Sequence, residues 1–133
     1  MKKAFTMIEL IFVIVILGIL AGIGIPKLAV TRDDAMIAKL RADIASIRSG
    51  IAHEKGRHMI EANMTGWNTK FKLEDNFSNV LEMKILLKKP GETGWSKSST
   101  NEWKACYRKN NCATFEFDSD KNFVCKDNCK YFE

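Results

Sequence analysis

One ionisable residue stands in a stretch that otherwise excludes charge. Met7 to Ile25 is a run of nineteen residues in which Glu9 is the only charged one. In helix such a run is long enough to cross the ~30 Å hydrocarbon core of a bilayer. A carboxylate inside it costs on the order of 2.5–3.5 kcal/mol on insertion scales, so Glu9 reads as functional. The chemistry it suits is ion pairing. A free amino group at Phe5, four residues away in the same chain or in a neighbour, would supply the cation. That group exists only if the chain is cut between Ala4 and Phe5.

The other reactive side chains point to structure more than to chemistry. Cys106, Cys112, Cys125 and Cys129 all lie in the last twenty-eight residues, and in a segment outside the cytoplasm that even count reads as disulfides. Cys106 with Cys112 is the favoured pair, since both flank a hairpin turn, and Cys125 with Cys129 would then pin the tail. Crossed pairing of Cys106 with Cys125 or Cys129 is the alternative. A four-thiolate zinc site would want tighter spacing than C-x5-C and C-x3-C. Asp118 and Asp120 lack the further oxygen ligands of a calcium loop and read as a polar turn. His53 and His58, five apart, do not share a helix face well and read as exposed surface residues. Glu74-Asp75 and Glu116-Asp118 are ordinary surface pairs. There is no Ser-His-Asp or Cys-His motif and no phosphate-binding glycine loop, so the reading is no enzyme, no metal and no cofactor.

The elements that position these residues follow from the pattern. Lys2 and Lys3 precede the apolar run and hold that end on the cytoplasmic side, which puts the rest of the chain outside. Gly18, Gly22, Gly24 and Pro26 weaken the second half of the helix; small residues four apart, Gly18 and Gly22, also allow close helix packing. Beyond Pro26, Ile37, Leu40, Ile44, Ile47 and Ile51 recur at spacings of 3, 4, 3 and 4, one apolar stripe on a helix. Helix is expected from about Phe5 to about Glu61, kinked at Pro26, with Gly50 and Gly56 weakening its last turns and Thr65-Gly66 ending it. Phe77, Val80 and Leu81, at i, i+3 and i+4, predict a short second helix, and Met83 to Leu87 an extended segment. Lys88-Lys89-Pro90-Gly91 and Gly94 predict a loop prolonged by Ser96 to Thr100. Alternating Trp103, Ala105, Tyr107, then Phe115, Phe117, then Phe123, Cys125 predict a three-stranded antiparallel meander. The fold class is α+β: a leader at residues 1–4, a transmembrane helix at 5–26, an amphipathic helix at 27–62 and a small head at 63–133.

Length suits one domain plus an anchor. Net charge is +5, and without Lys2 and Lys3 it would be +3. From Arg57 onward 13 Lys and Arg face 11 Asp and Glu, an excess too small to make nucleic-acid binding more than a minority reading.

Phe5-Thr6, Ile8-Glu9-Leu10, Gly18-Ile19-Leu20-Ala21 and Pro26 together resemble the N-terminal signature of type IV pilins and type II secretion pseudopilins. The resemblance covers about the first fifth of the chain. It implies a leader, Met1 to Ala4, removed by a prepilin peptidase, N-methylation of Phe5, and a role for Glu9 in filament assembly. Ala4 departs from the pattern, which has Gly before the cut, but is small enough for such a site. A conventional secretory signal would need a cleavage site after the run, where Gly22-Ile23-Gly24 is a poor one, and no Cys follows closely enough for a lipoprotein. A plain anchor leaves Glu9 unexplained. The long helix, loop and small sheet are also similar to pilin and pseudopilin heads, some of which hold calcium in loops near the C-terminus. The resemblance further implies residence in the bacterial inner membrane with a periplasmic head, then in a filament. Its implied partners are identical or related subunits, the peptidase, an inner-membrane assembly platform and lipid. Within that class the short chain, lacking a large disulfide-bounded terminal loop, favours a pseudopilin of secretion or competence. A surface pilin, or a DNA-binding minor pilin using Lys88, Lys89, Lys104, Arg108 and Lys109, is the alternative.

Overall fold

The stripe spaced 3, 4, 3, 4 is where the head is built. In a computed structural model describing residues 3–133, the side chains of residues 29 and 30 aside, Ile37, Leu40, Ile44, Ile47 and Ile51 are all buried. They join Trp67, Leu73, Phe77 and the inward side chains of a sheet in one core. Lys39, Arg41 and Arg48 fall off the stripe and are exposed, as the helical period requires. Met1 and Lys2 of the expected leader lie outside the described residues. The chain divides into two compact units, Met1–Ala35 and Met36–Glu133, and helix α1, Met7–Ile60, contributes to both. Pro26 lies inside α1 and does not end it.

The head differs from its sequence reading in three places: a second helix, a turn and a fourth strand. The second helix, α2, is Met64–Lys70, over the Thr65-Gly66 pair expected to end helix. It starts because the Asn63 side-chain oxygen accepts the Gly66 N–H at 3.1 Å, an N-cap, and it holds because Trp67 is buried and stacks on Phe71 at 4.5 Å. Phe77, Val80 and Leu81 form a turn instead. Phe77 has φ 58°, a conformation no α-helix continues through, and its ring is fully buried against Trp95, Trp103 and Phe123. The apolar spacing there reflects contacts with distant residues. Met83 to Leu87 carries no strand.

The sheet has four strands, not three: β1 Gly94–Ser99, β2 Glu102–Arg108, β3 Asn111–Phe117 and β4 Phe123–Asp127, antiparallel in the order 1-2-3-4. Gly94 and Ser96 to Thr100, expected as loop, lie in β1 or at its end; GWSKSS holds one large apolar residue and shows no alternation. As an edge strand it pairs only with β2, and Trp95, whose indole N–H donates to Asp43 Oδ2 at 3.0 Å, ties it to α1. One sheet face buries Trp95, Trp103, Ala105, Ala113, Phe115, Phe117 and Phe123.

On the opposite face Glu102 and Glu116 are directly paired across β2 and β3, a like-charge arrangement that repels. A register shift between Thr114 and Phe115 leaves Lys126 outside the regular pairing. Its ammonium meets Glu102 and lies 3.8 Å from Glu116. The hydrogen bond to Glu102, then the charges of Glu102 and Glu116, hold the Lys126 pKa above its ordinary value. The pair therefore persists as pH rises through the neutral range and is lost only at strongly alkaline pH.

Two disulfides close the head. Cys106–Cys112 joins positions directly opposite on β2 and β3, and Cys125–Cys129 closes the turn after β4. Behind the second, Phe132 enters the core, and the tail is tied to α1 by Arg41 Nε donating to the Tyr131 carbonyl and by Arg48 paired with Glu133, both at 2.5 Å.

Candidate functional site

The N-terminal end of α1 is positioned by Thr6, which the sequence reading names only as part of the signature. Thr6 precedes the helix; its Oγ1 accepts the Glu9 N–H at 3.3 Å and its carbonyl accepts the Leu10 N–H at 3.2 Å. Thr6 is thus the N-cap, and Thr6-Met7-Ile8-Glu9 has the Thr-x-x-Glu spacing of a capping box. That spacing was the available signal. Glu9 also falls in the first turn, where a negative charge is favoured by the helix dipole. Among the described residues no basic side chain pairs with it. Replacing Thr6 by alanine is expected to cost about 1 kcal/mol at this end, read as about fivefold faster amide exchange at Glu9 and Leu10 in micelles.

The side chains around Glu9 have no cover within the chain. Phe5 is 80% exposed, and even Ile16, the least exposed large apolar residue of the run, is 40% exposed. A Cβ added at Gly18, Gly22 or Gly24 would meet nothing within 4 Å, so packing inside the chain does not demand their small size. Among the described helices α1 is long and apolar enough to cross a membrane.

The remaining expected residues are scattered or structural. Asp118 closes the β3–β4 turn, its Oδ1 accepting the Asn122 N–H at 2.8 Å. Asp120 lines a groove of about 450 Å3 with Arg48, Lys55 and Lys121. Among the described residues no group of three or more His, Cys, Asp or Glu could hold a metal. His53 is exposed, but His58 is not the surface residue its spacing suggested. It is half-buried, 5.8 Å from the Trp67 ring and 6.4 Å from Phe71, because α2 folds back over the end of α1. Lys88 and Lys89 lie in the loop before β1, and Asn110 donating to the Gly91 carbonyl at 3.0 Å brings that loop to Arg108 and Lys109 at the β2–β3 turn. Lys104 stands mid-strand on the face away from the core.

Residues 1–25 match the family model for the prokaryotic N-terminal methylation motif. The chain is also 46% identical over 50 residues to the type IV narrow pilus major component PilA5 of Thermus thermophilus; the match covers 38% of this chain and 43% of that relative, so less than half of the relative's length is spanned. Over these stretches the chain is similar to type IV pilins. No solved structure matches it. The matched stretch holds the apolar start of α1, the part of the helix that is long and apolar enough to cross a membrane.

Proposed function

We propose that this chain is made as a precursor, cut between Ala4 and Phe5 by a prepilin peptidase, methylated on Phe5, and built from the inner membrane into a type IV pilus-like filament. The observation that carries this is Glu9, placed in the first turn of a helix whose large apolar side chains from Met7 to Ile25 are all uncovered. Before assembly lipid covers them and the head stands in the periplasm. In the filament, neighbouring copies or related subunits cover them, and Glu9 meets the Phe5 amine of a neighbour. Gly18, Gly22, Gly24 and Pro26 let the helix approach its neighbours or loosen once lipid no longer protects its backbone hydrogen bonds. The assembly platform of the inner membrane is the implied partner that lifts the subunit out.

Of the finer classes, a pseudopilin of secretion or competence is supported by the small head, whose disulfides close separations of only 6 and 4 residues. The likeness to a pilus major component supports the second reading, a subunit of an extended surface pilus. The intact mass of protein purified from the producing cells tests the shared part. It is expected to lack Met1 to Ala4, carry one added methyl group and lack two hydrogens for each disulfide. Protein that still begins at Met1 would leave an anchored domain with no filament role.

A further inference from the structure

The end of the head at which the chain enters it is basic and partly greasy. A groove of about 470 Å3 has Met36, Lys39, Asp43, Met83, Lys84 and Lys88 among its lining. Asp43 is committed to the Trp95 indole, while Lys39, Lys84 and Lys88 are exposed. At the rim Met83 is 85% and Leu86 70% exposed. The loop continues through exposed Lys89, and the Asn110–Gly91 hydrogen bond sets Lys109 beside it. Glu82 and Glu92 share that loop, so the five lysines remain in excess. Among the described residues none of the five is in an ion pair.

We propose that this end of the head is a membrane-contact surface. Lys39, Lys84, Lys88, Lys89 and Lys109 engage the phosphates of anionic phospholipid headgroups, and Met83 and Leu86 enter the boundary between headgroups and acyl chains. Ammonium groups within a Debye length of an anionic leaflet are attracted to it, and exposed apolar side chains gain by leaving water there. The apolar run ends at Ile25 and the head begins at Met36, eleven residues later. Eleven residues span at most about 40 Å, so an anchored chain holds this surface at high effective concentration near lipid. The proposal rests on the membrane-anchored reading. Nucleic acid would use the lysines but leave Met83 and Leu86 in water. It would also lack aromatic platforms for bases, because Trp95 is buried and Tyr107 and Tyr131 pack on each other at 5.3 Å.

The test uses the full-length protein in nanodiscs of phosphatidylcholine, with and without phosphatidylglycerol, scored first for co-elution and then for lysine acetylation rates by mass spectrometry. With about 30% phosphatidylglycerol, the five lysines are expected to react about fivefold more slowly, Lys55 and Lys70 at an unchanged rate, and added salt to remove the difference. The variant carrying Lys84→Gln, Lys88→Gln and Lys89→Gln changes only exposed side chains and should return Lys39 and Lys109 to the phosphatidylcholine rate. Equal rates in the two lipids, or equal slowing in both, overturn the proposal. Protection by duplex DNA at the same phosphate concentration that matches the lipid effect overturns it in favour of nucleic acid. A chain that never co-elutes with the discs sinks the anchored reading, and this surface with it.

Discussion

Gly50→Ala is expected to destabilise the head by about 3 kcal/mol or more, at the upper end of what overpacking a core costs. The added Cβ would lie 2.1 Å from the Val80 carbonyl oxygen and 2.9 Å from its carbon. These are backbone atoms and cannot swing aside as the tip of a side chain would. Nor can the turn retreat as a unit: Val80 and Leu81 donate to the Phe77 carbonyl at 3.1 and 2.9 Å, and the Phe77 ring is locked among Trp95, Trp103 and Phe123. The gain of ~1 kcal/mol from replacing a helical glycine is too small to offset this. Gly56, six residues on, is the control, since a Cβ there meets nothing within 4 Å, and Gly56→Ala should add up to ~1 kcal/mol. Urea unfolding in mild detergent, followed by tryptophan fluorescence, reads both. A Gly50→Ala protein as stable as the parent would mean that the 77–81 turn does not press on α1.

Glu9→Ala should leave the subunit in the membrane fraction at normal abundance and reduce filament yield by about a hundredfold. The direction follows from the two environments. In lipid the carboxylate costs ~2.5–3.5 kcal/mol, so its removal eases insertion. In a filament it would be half of a desolvated pair with a neighbour's Phe5 amine, and deleting one partner of such a pair costs about 3–5 kcal/mol because the other charge is left unpaired. Glu9→Gln separates charge from shape, since it keeps a hydrogen-bonding side chain after the Thr6 cap. If the glutamine variant assembles at the parental level, measured as sheared filament protein per membrane-bound subunit, charge pairing is not what Glu9 provides.

The likeness to pilins was legible because its residues have local meanings. A lone acid in an apolar run is conspicuous at any level of folding, and the stripe from Ile37 to Ile51 is legible because helical period follows from backbone geometry alone. β2, β3 and β4 were legible for the same reason, through alternation of period two. The misreadings share the opposite property. β1 carries a single large apolar residue, Trp95, and exists because β2 offers it a partner. α2 holds because Trp67 finds a pocket in the core. Phe77 takes a left-handed backbone conformation that only its buried ring contacts sustain. His58 is half-buried because a later helix folds over it. The caps Thr6 and Asn63 are the exceptions, local signals beside more conspicuous neighbours.

What the amino-acid order determined by itself was periodicity and charge placement: one long helix, apolar throughout its first half and striped in its second, an acid near its start, and three alternating strands. What tertiary structure alone decided was where chain segments distant in sequence meet: the fourth strand, the site of the second helix, the seating of Val80 on Gly50 and the gathering of lysines at one end. The division has a physical cause. Periodicity is set by the dihedral angles of neighbouring residues, whereas these meetings depend on burial gained between segments far apart in the chain, which no local pattern encodes.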